Sequence, residues 1–505
     1  MYLIGAGPGD PGLLTLKGKQ CLEAADVVVY DYLANEALLA HARPEAERIY
    51  VGKRGGDHTL PQDQIAALLV EHARAGKVVA RLKGGDPFIF GRGGEEAEDL
   101  QSAGVPFEVV PGVTSAIAAP AYAGIPLTHR DFTSSVAFIT GHEDPDKPRS
   151  DIAWDKLATG VGTLVFLMGV GNLPEIVTQL TAHGRSPETP VALIRWGTRT
   201  DQETVTGTLH DIVDRVVAAK LRPPAIIVVG EVVSLRARLG WFETKPLFGR
   251  RIVVTRSREQ ASVLTELLHA DGAEVFEFPA IEIVPPESWE PLDAALRQIT
   301  EYRWIIFTSA NGVRFFWERL AATERDARSL ARARIVAIGP ATAEALRSHG
   351  IEADLVPAEF KAEGILAALA GEPMGGARIL IPRAEAARDV LPAELERQGA
   401  TVDVVPAYRT VRSTREAKTL REHLKAKQIH AVTFTSSSTV TNFCRALGEA
   451  DLPALLDGVT IACIGPITAA TAREHHLTPH ITCAEYTIPA LAAALAAHFA
   501  DQPKG

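Results

Sequence analysis

Apolar and polar positions alternate along the first 240 or so residues in a pattern typical of α/β proteins. Short apolar runs such as Val27–Tyr30 and Val78–Leu82 predict buried strands. Between them, apolar residues three or four positions apart, as at Ile65, Leu68 and Leu69, predict helices. Apolar runs that end in a glycine-bearing turn recur at residues 138–142, 164–169, 191–197 and 225–230. We therefore expect an α/β domain with most of its ligand loops at one sheet edge.

The stretch 81–96 (Arg-Leu-Lys-Gly-Gly-Asp-Pro-Phe-Ile-Phe-Gly-Arg-Gly-Gly-Glu-Glu) follows one of these strands directly. Gly84 and Gly85 give the backbone conformations closed to other residues, so a ligand can lie against bare amides and carbonyls. A helix is expected from about Glu95 to Ala103. A plain tight turn is the alternative, but the further glycines in this stretch favour a ligand loop at the carboxyl end of the strand.

The glycine-rich opening, residues 5–15, invites comparison with a dinucleotide-binding turn. That fingerprint requires a third glycine where this chain has Asp10, and a helix that begins inside the loop. Pro8 and Pro11 delay the helix instead. The opening therefore disfavours a nicotinamide cofactor.

Six short motifs follow one another in this half of the chain: Gly-Ala-Gly-Pro-Gly-Asp (5–10), Val-Tyr-Asp (29–31), Val-Gly-Lys-Arg (51–54), the stretch 81–96, Val-Pro-Gly-Val-Thr-Ser (110–115) and Gly-Ile-Pro-Leu-Thr-His-Arg (124–130). Together they resemble the S-adenosylmethionine-dependent tetrapyrrole methyltransferases, most closely the uroporphyrinogen-III C-methyltransferases, over residues 1 to about 243. The resemblance implies a two-part α/β fold, a homodimer, S-adenosylmethionine as cofactor, Asp31 as proton acceptor and Lys53 as proton donor. It implies cofactor contacts at Pro8, Gly84, Gly85, Asp86, Ile89, Thr114, Ser115, Met168 and Gly197. Leu167 departs from the pattern, since many relatives have tyrosine there.

Methyl transfer to a pyrrole carbon generates an acidic proton, and a carboxylate at Asp31 suits the role of general base. Capping of a strand-end turn is the other interpretation of Asp31. Lys53 suits either proton donation or pairing with a substrate carboxylate. Asp86 is expected to accept from an amine or hydroxyl of the cofactor.

A tetrapyrrole with eight carboxylates requires a locally basic cleft in a chain whose net charge is −10. The expected substrate anchors are Arg81, Lys83, Arg92, His129 and Arg130. For any one of these residues, the alternative to substrate binding is an ordinary solvated position on the surface.

Proline and glycine interrupt the pattern at residues 244–250, which are expected to be a linker. Beyond it, four segments recur at a nearly constant offset: Arg256 and Arg383 end similar strands, Pro279 matches Pro406, Thr308 matches Thr435, and Ile338 matches Ile464. The offsets are 383 − 256 = 127, 406 − 279 = 127, 435 − 308 = 127 and 464 − 338 = 126. A constant period predicts an internal repeat and hence two similar α/β lobes.

The order of these motifs resembles the uroporphyrinogen-III synthases, whose product is the substrate of the methyltransferase family. The resemblance implies a bilobal α/β synthase at 251–500, with no cofactor, one lobe at about 251–280 plus 408–500 and the other at about 281–407. Tyr408 is the expected acid for the leaving hydroxyl, with a half-buried structural tyrosine as the alternative. Substrate contacts are expected at Arg256, Ser309, Thr342, Arg383, Ser436 and Thr468, although the two arginines suit strand termination equally.

The composition limits the classes of protein, partner and location that fit the chain. With 46% apolar and 23% charged residues, the chain has the profile of a globular protein, and its negative balance disfavours nucleic acid as a partner. Four cysteines without paired spacing, no clustered histidines, and no signal or membrane segment predict a cytoplasmic protein without a metal site. We expect a bifunctional tetrapyrrole enzyme that makes precorrin-2 for sirohaem or cobalamin. The alternatives are a methyltransferase fused to a ligand-sensing module, and a methyltransferase acting on another precorrin, a modified histidine or RNA.

Overall fold

The computed structural model describes residues 1–52, 60–142, 151–255, 258–279, 281–385, 390–412, 414–448, 451–500 and 502. Two predicted site residues, Lys53 and Arg256, lie outside these ranges. The chain forms two compact units. The first unit contains Met1–Arg251, Glu266–Val275 and Ala492–Gly505, and the second contains Ile252–Thr265 and Phe276–Leu491. The domain and lobe boundaries given above stay predictions.

The first sheet is entirely parallel, with strand order β3-β2-β4-β1-β5. Its strands are β1 (Tyr2–Gly5), β2 (Val27–Tyr30), β3 (Glu47–Tyr50), β4 (Val79–Lys83) and β5 (Glu108–Val110). Parallel strands present their carboxyl ends at one edge, so the loops after β1, β2 and β4 lie side by side. Alternate residues point to opposite faces: Ile4 and Leu82 enter one apolar cluster and Leu3 and Val79 enter another.

The second sheet has the order β6-β7-β10-β8-β9 and is mostly antiparallel, since only β6 and β7 run parallel. Its strands are β6 (Val136–Thr140), β7 (Thr163–Leu167), β8 (Pro190–Arg195), β9 (Glu203–Thr208) and β10 (Ala225–Val229). Apolar clusters form on both of its faces, as expected for strands rich in valine, leucine and isoleucine.

Two further sheets complete the fold. The third has the order β12-β11-β18-β19-β20 and the fourth the order β13-β17-β16-β14-β15, in which β13 alone pairs antiparallel. The strands are β11 (Arg251–Val254), β12 (Glu274–Glu277), β13 (Ile281–Val284), β14 (Trp304–Phe307), β15 (Arg334–Ala337), β16 (Arg378–Ala384), β17 (Thr401–Arg412), β18 (Ala431–Phe434), β19 (Thr460–Cys463) and β20 (Ile481–Thr482).

Helices connect most of these strands. In the N-terminal half they are α1 (Leu16–Glu23), α2 (Gln62–Arg74), α3 (Gly93–Ser102), α4 (Ser115–Tyr122), α5 (Trp154–Gly160), α6 (Leu173–Ala182), α7 (Ile212–Ala218) and α8 (Arg236–Leu239). In the C-terminal half they are α9 (Arg258–Ala270), α10 (Glu290–Arg297), α11 (Ala310–Ala322), α12 (Pro340–Arg347), α13 (Ala362–Ala368), α14 (Val390–Arg397), α15 (Thr414–Lys425), α16 (Ser437–Leu447), α17 (Leu452–Leu455), α18 (Pro466–Glu474) and α19 (Ile488–Ala500). Short 3-10 helices occupy Pro11–Leu13, Glu36–His41, Val170–Asn172, Glu231–Leu235, Ile299–Glu301 and Ala327–Leu330.

The predicted α/β class is confirmed, because the described strands form four β-sheets and helices connect most of these strands. The predicted helix after the glycine-rich stretch is confirmed as α3, which begins two residues earlier than expected, at Gly93. The internal repeat stays a prediction.

Candidate active site

A cavity of about 680 Å³ opens in the first unit. Loops after β1, β2 and β4 form one side of it, and segments of the second sheet and its connections form the other. All nine expected cofactor residues line this cavity, namely Pro8, Gly84, Gly85, Asp86, Ile89, Thr114, Ser115, Met168 and Gly197. Asp31, Lys83 and Arg92 line it too, so loops far apart in the sequence converge on one site.

Two backbone hydrogen bonds join the loops after β1 and β4. The amide of Gly85 donates to the carbonyl of Gly7 at 2.7 Å, and the amide of Gly7 donates back to Gly85 at 3.2 Å. Gly85 has φ +69°, in the left-handed region that favours glycine. An added Cβ there would lie 3.8 Å from the backbone of Thr114 and of Ser115. The glycine-rich stretch is therefore more than a tight turn. It forms a loop of exposed backbone at the cavity, which we call the cradle.

Asp86 fixes the shape of this cradle. One carboxylate oxygen accepts from the amide of Phe88 at 2.8 Å, and the other accepts from the amide of Gly112 at 2.9 Å. Asp86 thus joins the loop after β4 to the one after β5. The sequence predicted a contact between Asp86 and the cofactor, but not this bracing of two loops.

The contacts of Asp31 fit both roles considered from the sequence, a general base and a turn cap. Its Oδ1 accepts from the amide of Leu33 at 3.1 Å, as a turn cap does. Its Oδ2 accepts from Nη2 of Arg81 at 2.9 Å, and its side chain remains 26% exposed at the cavity wall. Arg81 therefore fixes the direction of a carboxylate that still faces the cavity.

Behind this wall lies a buried group of charges. Glu96 is fully buried, and its Oε1 accepts from Nζ of Lys83 at 2.7 Å, Nε2 of Gln62 at 2.9 Å and Nε of Arg81 at 3.4 Å. Burial, followed by the charge of Arg81, lowers the pKa of Lys83 below its ordinary value. Lys83 is among the residues that line the cavity, whereas Arg81 is not.

Arg81 is buried within this network. It is 3% exposed, and its guanidinium bonds Asp31, Glu96 and the carbonyl of Leu82. To meet a substrate it would have to break these buried contacts. Its contacts support Asp31, and its expected contact with the substrate stays a prediction.

The exposed cations divide into those at the cavity and those away from it. Arg92 lines the cavity and pairs with Glu95, which raises the pKa of Arg92. Arg199, which the sequence analysis missed, also lines the cavity and lies over the ring of Trp196, 4.4 Å from its centroid. The expected anchors His129 and Arg130 do not line the cavity.

Backbone strain concentrates here. Phe90, Arg92, Met168 and Trp196 all have positive φ, between 48° and 58°, and all four line the cavity. Non-glycine residues seldom adopt this conformation, and such strain gathers at functional sites. Leu167, where relatives often have tyrosine, contributes an apolar patch to the same wall.

In the second unit, two predicted residues touch. The hydroxyls of Ser309 and Tyr408 are 3.0 Å apart, and Ser309 also caps α11 by accepting from the amide of Gly312. Tyr408 is 8% exposed and stacks on Phe315 with 5.9 Å between ring centroids. Arg383, at the end of β16, is also 8% exposed, next to Ala384, which lies opposite Tyr408.

The other predicted hydroxyls differ in exposure. Ser436 caps α16 in a reciprocal arrangement with Thr439 and stays partly exposed. Thr342 and Thr468 are only 3% and 4% exposed, each in the first turn of its helix. Their side chains therefore offer little surface to a substrate, and their expected contact with it stays a prediction.

The sequence analysis missed Glu96 and Arg199, because a pattern of apolar and polar residues does not show where a single side chain points. Glu96 stands beside Glu95 in the sequence, yet Glu96 is buried and Glu95 is exposed. The helical period from the buried Ala97 and Leu100 is the signal that could have separated them. Arg199 carried no signal beyond its nearness to the glycine turn at 197.

Comparison with known proteins gives two family matches. Residues 1–213 match the family of tetrapyrrole (corrin/porphyrin) methylases, and residues 262–493 match the family of uroporphyrinogen-III synthase HemD.

Relatives cover the chain in whole and in part. The porphyrin biosynthesis protein HemD of Ruminiclostridium josui is 40% identical over 94% of this chain and 93% of its own length. Uroporphyrinogen-III C-methyltransferase of Priestia megaterium is 56% identical over 46% of this chain and 98% of its own length. The uroporphyrin-III C-methyl transferase of Thermus thermophilus, solved with S-adenyl homocysteine, is 43% identical and covers 46% of this chain and 98% of that chain, with a TM-score of 0.40. The chain belongs to the family of fused porphyrin-biosynthesis proteins in which a tetrapyrrole methylase precedes a uroporphyrinogen-III synthase.

Proposed function

We propose that this chain performs two consecutive steps of tetrapyrrole synthesis. Residues 251–500 cyclise the linear hydroxymethyl tetrapyrrole to uroporphyrinogen III, and residues 1–243 methylate that product twice to give precorrin-2. The observation that carries the methyltransferase site is the convergence of Asp31, Lys83 and the nine expected cofactor residues on one cavity. The synthase assignment rests on the family match at 262–493.

The cavity suits S-adenosylmethionine. Its volume lies within the range for small-molecule sites, and Gly85 leaves bare backbone where a side chain would fill space. The cofactor, when bound, supplies an activated methyl group. Gly84 and Gly85 would hold it by close backbone approach, and Ile89 and Met168 would exclude water from the methyl group.

Asp31 then serves as the proton acceptor. The attacked pyrrole carbon gains a methyl group and must lose its proton, and the proton passes to the carboxylate of Asp31. Arg81 holds that carboxylate in place through Oδ2, and the Leu33 amide holds it through Oδ1. Each oxygen keeps a second acceptor position for the proton.

Three cations suit the carboxylates of the substrate. Lys83, Arg92 and Arg199 all line the cavity, and Arg92 is exposed while Arg199 is partly exposed. Lys83 is only 5% exposed, so its ammonium group would have to turn from Glu96 to meet a substrate carboxylate. Each would attract the polyanion and offer charge-assisted hydrogen bonds. The proposed role of Lys53 as proton donor remains an expectation from the family resemblance.

In the synthase reaction the substrate loses its terminal hydroxyl as water, and one ring inverts before closure. The leaving oxygen requires a proton as the carbon–oxygen bond breaks. Tyr408 is proposed as the donor, and Ser309, 3.0 Å away, keeps its hydroxyl oriented. Ser436 and Arg383 are retained as contacts for the substrate carboxylates.

The fused ligand sensor is the less favoured alternative, because the second family match is to an enzyme. We further propose a homodimer formed through the first unit, and a cytoplasmic location, which four free buried cysteines favour. Within the described residues, no helix is long and apolar enough to span a bilayer. The product suits synthesis of sirohaem, cobalamin or both.

The deciding experiment incubates the full chain with the linear precursor, with and without S-adenosylmethionine. Without the cofactor we expect the type III isomer, and with it the dimethylated product. The uncatalysed reaction gives the uninverted type I isomer, so the isomer ratio reports catalysis directly. Type I product alone would reject the synthase assignment, and unmethylated type III product in the presence of cofactor would reject the methyltransferase assignment.

A further inference from the structure

Two exposed aromatic rings lie over the glycines that precede α12 and α18. Phe360 is 61% exposed and Tyr486 is 64% exposed. A Cβ added to Gly339 would lie 3.1 Å from Cγ of Phe360, and one added to Gly465 would lie 2.8 Å from Cδ1 of Tyr486. Each ring therefore rests on a piece of backbone that has no side chain.

The two places share their local geometry. Gly339 has φ −170° and ψ 179°, Gly465 has φ −172° and ψ 176°, and a proline begins the helix after each. Each aromatic residue follows its glycine by the same distance, 360 − 339 = 21 and 486 − 465 = 21. Both stand third in an Ala-Glu-aromatic triplet, at 358–360 and 484–486. The arrangement occurs once beside the fourth sheet and once beside the third.

Packing does not account for these rings. A phenylalanine with more than half of its surface in water forgoes most of the stabilisation that burial gives. The glycine contacts part of each ring, and more than half of each side chain stays exposed to a flat partner. Aromatic faces bind electron-rich rings by offset stacking, and such contacts tolerate different ring substituents.

We propose that Phe360 and Tyr486 each stack against a pyrrole ring of the linear tetrapyrrole and thereby position the substrate for closure. The proposal rests on the synthase function proposed above. Hydroxyls and arginines suit the substrate carboxylates, and flat aromatic side chains suit the faces of its rings. A stacked ring at two fixed places restricts the flexible chain of four rings, so fewer conformations compete with the one that closes.

The test measures synthase kinetics with the full chain. Phe360→Ala and Tyr486→Ala should each raise the KM for the linear precursor about tenfold, within the range for loss of a ring stack, and lower the type III fraction. Phe360→Tyr and Tyr486→Phe keep a ring and should retain the wild-type KM. Phe360→Leu and Tyr486→Leu keep apolar bulk without a flat ring and should resemble the alanine variants.

Controls separate stacking from stability. Val356 is also exposed and apolar, so Val356→Ala should leave KM unchanged. Methylation of supplied uroporphyrinogen III checks each preparation, and thermal unfolding checks the fold. Tyr486→Trp adds a direct probe, because the fluorescence it gains over the wild-type chain should be quenched by the linear precursor in a saturable way. This readout remains if the alanine variants fail to fold.

The outcomes are distinct. Wild-type KM in both alanine variants, wild-type KM in both leucine variants, or an added fluorescence in Tyr486→Trp that the precursor does not quench would each overturn the stacking proposal. The wild-type chain measured alongside tests the synthase function by itself. If it makes only the type I isomer, the proposed function fails, and if it makes type III while the variants are unchanged, only the present inference fails.

Discussion

The two units differ in the charged side chains that they bury. Beside the cavity of the first unit, Arg81, Lys83 and Glu96 are each no more than 5% exposed, and Glu96 contacts both cations. In the second unit, the polar side chains below 9% exposure are Arg383, two tyrosines (302 and 408) and five threonines, at positions 255, 342, 433, 460 and 468. Among described residues, then, both units bury neutral hydroxyls, and only the first also buries opposed charges.

This difference corresponds to the two chemistries. Methylation at carbon must remove a proton, and the buried cation beside Asp31 fixes the direction of the carboxylate proposed to accept it. Ring closure must expel a hydroxyl and shape a flexible polyanion, and neutral hydrogen-bonding groups suit many weak contacts with a changing shape. A buried network of charges also restricts its own geometry, because breaking one pair leaves an uncompensated charge. Variants in the first unit should therefore have larger and more selective effects.

The largest effect is expected at Gly85. Gly85→Leu should abolish binding of S-adenosylmethionine and leave cyclisation unchanged, because φ +69° disfavours a side chain that would also enter the cradle. Calorimetric titration with the cofactor measures the loss. Gly76 has φ +79° with open space around it, so Gly76→Leu controls for backbone strain alone and should keep cofactor binding. Unchanged cofactor affinity in Gly85→Leu would remove this loop from the site.

The next effect concerns Asp31. Asp31→Asn keeps the size and the turn but does not accept the proton, so methylation should fall on the order of 10²-fold or more while cofactor binding persists. Single-turnover methylation rates measure it. Asp26 is the matched control, since it also accepts a backbone amide, from Val78 at 2.7 Å, and pairs with Arg43. Equal losses in Asp31→Asn and Asp26→Asn would make Asp31 a structural cap.

The sequence predicted where loops converge better than where side chains point. The positions of strands and glycine turns follow from apolar periodicity, and the family resemblance of the motifs supplied the cavity residues from 8 to 197. Burial of Arg81 depends on Glu96, which reaches it from a helix that begins twelve residues later. Likewise, Thr342 turns inward because its helix packs that face on the sheet. Such directions arise from tertiary packing, and no local pattern encodes them.

The lowered pKa of Lys83 predicts how substrate binding depends on pH. Its pKa is lowered by burial and by Arg81, against the opposing charges of Glu96 and Asp31, so it loses its proton at a lower pH than an ordinary lysine. The KM for uroporphyrinogen III should therefore rise with pH through that lowered pKa, as the charge that binds a carboxylate disappears. In Lys83→Met the KM should be higher, roughly 10- to 100-fold at neutral pH, and no longer show this rise.

A matched variant sharpens the measurement. Lys77 is exposed and pairs with Glu47 at 3.0 Å, so Lys77→Met removes a lysine of ordinary surface character and should keep the wild-type pH profile. Cofactor affinity, measured across the same pH range, should stay constant in both variants. If Lys83→Met retains the rise of KM with pH, another group titrates and Lys83 does not bind the substrate.

The smallest effect is expected at Tyr408, in the unit with neutral buried groups. Tyr408→Phe removes a hydroxyl that bonds Ser309 but keeps the ring stacked on Phe315, so the fold should persist. Loss of one hydrogen bond of this kind corresponds to roughly tenfold in rate, and the type III fraction should fall with it. Tyr302→Phe is the control, because Tyr302 is also buried and bonds Asp403 at 2.6 Å. A loss near 10³-fold would identify Tyr408 as the sole acid and contradict the distributed chemistry inferred for this unit, whereas equal small losses in both variants would reduce Tyr408 to a packing residue.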